Sequence, residues 1–321
     1  MQHHSAHPGA HPGLRAKHRK ANLRTLAFLS PWLIGFSVFF AYPLLSTVYF
    51  SFMKYDGFAP PTWVGLKNWT YVFNDYPFFW PALRNTLWLV LVMVSLRVVF
   101  GLCVGLLIIK IKTGAGLFRT FFYLPYLAPP VAATMSFVFL LNPGTGPANT
   151  ILDRLGLPQP GWFTDPNWSK PSLTLLALWG IGDLMVIFMA SLLDVPKEQY
   201  EAAELDGAGP AQRFRYVTLP HISPIVLFAV VTGVIATMQY YTEPLVAAKV
   251  ASGVIGGSGQ QFEPGYPDKT TLTVPQIIYN LGFQRFDTGA ASVVALVLFA
   301  LAMAFTAILM RRRSGFMSAE D

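Results

Sequence analysis

Six stretches of this 321-residue chain run for twenty or more mostly apolar residues: roughly 25–52, 83–109, 117–141, 172–193, 222–247 and 289–310. A helix rises about 1.5 Å per residue and a bilayer core is about 30 Å thick, so each stretch is long enough to cross a membrane. The composition agrees. Charged residues make up 12% of the chain, about half the usual share of a soluble domain, and mean hydropathy is +0.45. Disorder and coiled coil both need more charge than this. The expected fold is therefore an all-α integral membrane protein with six transmembrane helices spread over residues 25–313. The longest connecting loop, about 40 residues, is too short for a second domain. Cys103 is the single cysteine, which excludes an intrachain disulfide and a cysteine-based metal site.

Lys and Arg set the expected orientation. With both ends on one side, that side holds fourteen of them, in the 1–24 arm, the 110–119 turn, the 194–221 loop and the 311–313 tail; the opposite loops hold eight. The positive-inside rule then predicts cytoplasmic N- and C-termini. The net charge of +7 reflects these anchors and gives no sign of nucleic-acid binding. Residues 1–24, with His3, His4, His7, His11 and His18 among Pro, Gly and Ala, are expected to be a disordered basic tail, and 314–321 a second tail. Pro31 and Pro43 predict a tilt or kink in the first span. Trp63, Trp69, Trp80, Trp162 and Trp168 in the outer loops fit an interfacial aromatic belt in contact with lipid.

Charge inside a span is costly and therefore informative. Arg97 lies midway along the second span and Asp183 midway along the fourth. They can pair, or Asp183 can line a polar cavity. Glu243 is placed near the outer end of the fifth span, within reach of water. Gly101 and Gly105 form a small-xxx-small pair suited to close helix contact. A Walker A motif, H-E-x-x-H and G-x-S-x-G are all absent from the sequence, so the chain shows no means of hydrolysing ATP and no familiar hydrolase site.

The loop 194–221 is too polar for the membrane and too well patterned for a linker. Asp194 can cap a helix that has Pro196 in its first turn, and residues 197–206 are good helix formers with Glu198 and Glu201 near the favourable N-terminus. Gly207 and Gly209-Pro210 should end that helix, and a second short segment should finish at Leu219-Pro220. A docking element for a cytoplasmic partner is the physical reading.

That loop resembles the EAA loop of ABC importer permeases. Glu201-Ala202-Ala203, then Gly207 after three residues, then Val217, Leu219 and Pro220 after nine more follow its spacing, with Val for the usual Ile at 217. The extension through Asp206, Arg213-Phe214-Arg215 and Thr218 is similar to the carbohydrate branch of that family, the maltose and glycerol-phosphate type. Leu29-Ser30-Pro31-Trp32, Tyr42-Pro43, Gly65 through Trp69, Asn85-Thr86, Phe118-Arg119, Leu124-Pro125 and Trp179 through Phe188 extend the resemblance along the chain. The Gly-rich loop 252–271 departs from it.

The resemblance implies a type I permease fold in a cell (inner) membrane. It implies a second homologous permease subunit, two ATPase subunits that bind ATP and Mg, and an extracellular solute-binding protein. The solute would be a sugar or oligosaccharide, with no cofactor in this chain. It also implies that Glu198, Glu201, Ala202, Ala203, Asp206, Gly207, Leu219 and Pro220 couple to the ATPase. Substrate contacts would fall on spans four and five: Trp179, Gly180 and Asp183 on one face by i, i+3, i+4 spacing, and Gly233, Thr237, Tyr240 and Tyr241 likewise. Two other readings stay open from the residues alone, a secondary transporter using Asp183 as an ion site and a membrane enzyme using Asp183 with Arg97.

Overall fold

The computed structural model describes residues 25–253 and 264–311. The tails expected at 1–24 and 314–321, and the middle of the Gly-rich loop, lie outside the described residues. Among the described residues, four helices are long and apolar enough to cross a membrane: α1 (Thr25–Phe50), α2 (Phe79–Ile109), α8 (Pro210–Met238) and α11 (Thr288–Arg311). Two more crossings are bent pairs. Helix α3 (Ala115–Tyr123) leads through one 3-10 turn into α4 (Pro130–Leu140), the two limbs meeting at 100°, and α5 (Ser169–Trp179) meets α6 (Gly182–Leu193) at 51°. With each bent pair taken as one span, the six expected crossings are present. Shorter helices complete the path, among them α7 (Lys197–Leu205), α9 (Thr242–Ala251) and α10 (Val274–Tyr279), with further short helices at Lys67–Thr70 and Pro147–Arg154 in the outer loops. A small antiparallel ribbon pairs Met53 with Trp63 and Lys54 with Thr62.

The third span departs from the straight helix expected over 117–141. Pro129 and Pro130 have no N–H to offer the ladder, and Ala128, which precedes Pro129, takes extended backbone at φ −69° and ψ 135°. A residue before proline is pushed there by the ring. The fourth span breaks at Gly180 and Ile181, where helix propensity is low. The break brings Gly182 so near α3 that a Cβ would lie 2.7 Å from the Tyr123 Cα.

Prolines inside the longer helices are absorbed differently. A five-residue wide turn precedes Pro43 (Ser37–Ala41) and Pro220 (Phe214–Thr218). In each, the carbonyl four residues before the proline, the one its ring would strike, lies inside the wide turn. The first span therefore continues past Pro43. For the same reason α8 does not finish at Leu219-Pro220, as the sequence suggests, but runs on from the loop into the membrane. The fifth span ends earlier than expected, at Met238; after Gln239, Tyr240 and Tyr241 the chain restarts as α9.

Packing is layered along the bundle. At one end Val72, Tyr76, Phe79, Leu272, Ile277, Leu281 and Val293 form a buried cluster. There Asn85 donates to the carbonyls of Lys269 and Leu272 at 2.7 and 3.0 Å, tying the 264–273 segment to α2. The middle layer joins Val90, Val94 and Val98 of α2 to Ile181, Leu184, Phe188, Val234 and Met238. Gly101 and Gly105 face α6: a Cβ on Gly101 would sit 3.0 Å from the Leu184 Cβ, so small residues permit this crossing. At the other end Leu192, Val195 and Ile222 pack with Tyr200 and Val217 beneath α7. In contrast, α1 has no buried residue at all.

Candidate functional site

The break between α8 and α9 opens onto a cavity of about 390 Å³. Its wall is built from Met93 and Arg97 on α2, Pro125 and Tyr126 at the elbow of the third span, Thr134 on α4, Leu176, Trp179 and Gly180 at the bend of the fourth, and Thr237 and Gln239 through Glu243. Each bend thus contributes to the same space. The non-helical stretch is anchored where the Thr273 Oγ1 donates to the Tyr240 carbonyl at 2.8 Å. Irregular backbone at this depth is tolerated where it lines a cavity and its polar groups are satisfied.

Of the residues expected to contact substrate, Trp179, Gly180, Thr237, Tyr240 and Tyr241 line this cavity. The shared helical face drawn through Trp179, Gly180 and Asp183 does not exist, because the helix breaks between them. Asp183 is not on the cavity wall; its carboxylate accepts from the Arg97 Nη2 at 3.1 and 3.3 Å. Gly233 also lies off the wall, and its absent Cβ leaves room for Val94, whose Cγ1 would be 3.0 Å away. That glycine serves helix packing. Trp179, tilted against Phe137 at 5.2 Å, also borders an apolar groove lined by Phe100, Leu117, Phe121, Leu124 and Leu140.

Both charged residues of the cavity wall, Arg97 and Glu243, are absent from the expected contacts. Arg97 lines the cavity with only its Nη2 engaged, and its buried Nε has no partner. Glu243, expected to reach water at the membrane edge, is instead half-buried in the cavity wall in the first turn of α9. Neither ion pair found among the described residues involves it. The signal for Glu243 is Thr242-Glu243-Pro244, a helix start in the middle of an apolar run.

The second feature is the exposed loop between the fourth and fifth spans. Pro196, rather than Asp194, occupies the position before α7, and no side chain caps it. Glu198, Glu201, Ala202, Asp206 and Gly207 are exposed, and Ala203 is half-buried. Gly207 has φ +79°, and a Cβ at this position would meet nothing within 4 Å. The turn needs glycine for its backbone conformation alone, not for close approach. Helix α7 is fixed to α8 by the Tyr200–Thr218 hydroxyl pair at 2.8 Å and by Arg213 to Glu204 at 3.1 Å. Leu219 and Pro220 belong to α8. The sequence gives no hint of Leu205, which is 90% exposed at the end of α7.

Residues 97–315 match the family described as the binding-protein-dependent transport system inner membrane component. The chain belongs to that family. It is 32% identical to the probable ABC transporter permease protein YesP of Bacillus subtilis over 297 residues, 92% of each chain. It is 30% identical to the sulfoquinovosyl glycerol transport system permease protein SmoG of Agrobacterium fabrum, over 90% of each. It is 32% identical to the arabinooligosaccharides transport system permease protein AraP of Halalkalibacterium halodurans, covering 84% of this chain and 81% of that one. A chain of a bacterial ABC transporter involved in the import of the acidic polysaccharide alginate has the same fold, with a TM-score of 0.71 at 21% identity, over 95% of this chain and 99% of that one. The multi-pass permease fold expected from the sequence is thus the observed one.

Proposed function

We propose that this chain is one of two homologous permease subunits of an ATP-driven importer for a sugar or oligosaccharide. In this reading it sits in the cell membrane with both termini in the cytoplasm. An extracellular binding protein delivers the solute, and two partner ATPase subunits, which bind ATP and Mg, drive transport. The chain itself performs no hydrolysis and needs no cofactor. The kinship with permeases named for saccharides supports the substrate class. The exposed loop with the EAA spacing supports the coupling role.

The observation that carries the reading is the continuity of α8. One helix of 29 residues begins three residues after Gly207 and ends at Met238, against the cavity. A partner that grips α7 thereby acts on a structural element that reaches the solute path. Such coupling requires the partner to bind the two conformations of the permease differently, and α7 is the place where that difference would enter. A secondary transporter using Asp183 as its ion site fits less well, because the Asp183 carboxylate is already matched by Arg97. The pair also removes the free acid that an enzyme reading would need.

The test is purification from native membranes by a tag on this chain, followed by reconstitution. Co-purification of an ATPase and a second permease, with saccharide uptake that requires ATP and the binding protein, is the expected result. Uptake by the lone chain driven by an ion gradient would refute the reading.

A further inference from the structure

We propose that the cavity between α2, the bend of the fourth span and the α8–α9 break selects an uncharged saccharide and rejects acidic ones, with Glu243 as the residue that sets this preference. The inference rests on the importer reading and narrows its substrate class.

Arg97 and Asp183 form a pair and contribute no net charge. Glu243 on the cavity wall has no such match among the described residues. It stands in the first turn of α9, beside the free N–H groups of a helix start, which interact favourably with a carboxylate. The cavity wall therefore carries one unmatched carboxylate, Glu243, and one guanidinium, Arg97, that is already engaged by Asp183 behind the wall. A phosphate, sulfonate or uronate placed there meets Glu243 with a single, already engaged cation to offset it.

Hydrogen bonding points the same way. An ionised carboxylate only accepts, so Glu243 needs donors. Arg97 only donates, and Nη2 alone is engaged. One cavity thus presents an unfilled acceptor and unfilled donors. A sugar hydroxyl is both donor and acceptor and can serve each side. An anionic group could serve Arg97 but gives Glu243 nothing. The rings of Tyr240 and Trp179 on the same wall suit the apolar face of a pyranose or furanose ring. The fold itself sets no such preference, because a chain of the same fold serves import of an acidic polysaccharide; the side chains at this break do.

The experiment uses the purified permease–ATPase complex without its binding protein, so that selection by that protein does not enter. Tryptophan fluorescence is titrated with a neutral oligosaccharide panel, with the corresponding uronates, and with glycerol 3-phosphate. The neutral compounds should bind at least about tenfold more tightly than their acidic counterparts. Glu243→Gln should weaken the neutral ligand by roughly tenfold to a hundredfold, the cost of a lost charge-assisted acceptor, and should bring neutral and acidic ligands close together. Glu243→Asp keeps the charge and should keep the preference even where packing is perturbed. Acidic ligands that bind as tightly as neutral ones to the unaltered complex, or a preference untouched by Glu243→Gln, overturn the inference. Uptake of an acidic saccharide by the complete importer overturns the inference but leaves the importer reading standing. Failure of the complete importer to carry any saccharide overturns both.

Discussion

The two ends of α8 are built on opposite plans. At the loop end, every residue of interest comes from one contiguous stretch, 194–221, and most of it is exposed. At the cavity end, the wall is gathered from α2, both bent spans and the break after Met238, and its charges are partly buried. The loop is a local object whose shape follows from propensity and one glycine. The cavity is a tertiary object that exists only because three spans fail to be straight. The difference shows where an effect should be felt: changes in the loop should act on assembly, and changes around the cavity on solute and on stability.

The sharpest way to break this contrast is the double change Glu201→Lys, Gly207→Val. Loss of one partner of a desolvated charged contact costs about 2–5 kcal/mol, and valine resists φ near +79° at Gly207. Uptake should fall by more than about a hundredfold. The ATPase should be released from the membrane while the chain stays at normal abundance, read by fractionation and immunoblotting. Normal uptake in this variant would end the coupling assignment. Next comes Leu205→Ser. A side chain 90% exposed contributes little to the chain's own fold, so thermal unfolding should not move. If it is covered by the partner, burial of about 1.5–3 kcal/mol is lost, and ATPase association should weaken at least about tenfold.

On the cavity side, Arg97→Leu leaves the Asp183 carboxylate unmatched inside the bundle. The pair is 22% and 28% exposed at its side chains, so the several kcal/mol cost of an orphaned buried charge is reduced to about 1–3 kcal/mol. The unfolding temperature of the detergent-solubilised complex should drop, and the double change Arg97→Leu, Asp183→Leu should recover most of it. No recovery would mean that Arg97 matters for something other than the pair. Smallest is Tyr240→Ala. Loss of one ring from the wall is worth about 1 kcal/mol, so solute binding should weaken by several-fold up to about tenfold, with ATPase association unaffected. Released ATPase in this variant would erase the distinction between the two ends.

The same contrast explains what can be read in the sequence. Glu201, Ala202, Ala203 and Gly207 are legible because their spacing and their exposure belong to one segment. The six crossings are legible because burial in lipid demands long apolar runs. The bends are not: Pro129 and Pro130 mark a break, but the 100° angle at which α3 and α4 meet is set by packing. Helical spacing then misplaces Asp183, since a face drawn at 100° per residue does not survive the break at Gly180, whereas Gly233 lies on unbroken α8 and is turned against Val94 instead of the cavity. Glu243 is misplaced for a related reason. Counting residues from the loop puts it near water, whereas the chain turns at Gln239 through Tyr241 and folds it back into the wall. Leu205 carries no motif, and only its exposure after folding marks it.

Geometry gives the length of α8 one more meaning. Its 29 residues make a lever about 43 Å long. A tilt of about 5° pivoting at the Pro210 end carries the Met238 end sideways by about 4 Å, more than the diameter of a water molecule. Small angles at the surface thus become distances comparable to a solute's own width, and the stiffness of this one rod sets how faithfully the conversion is made.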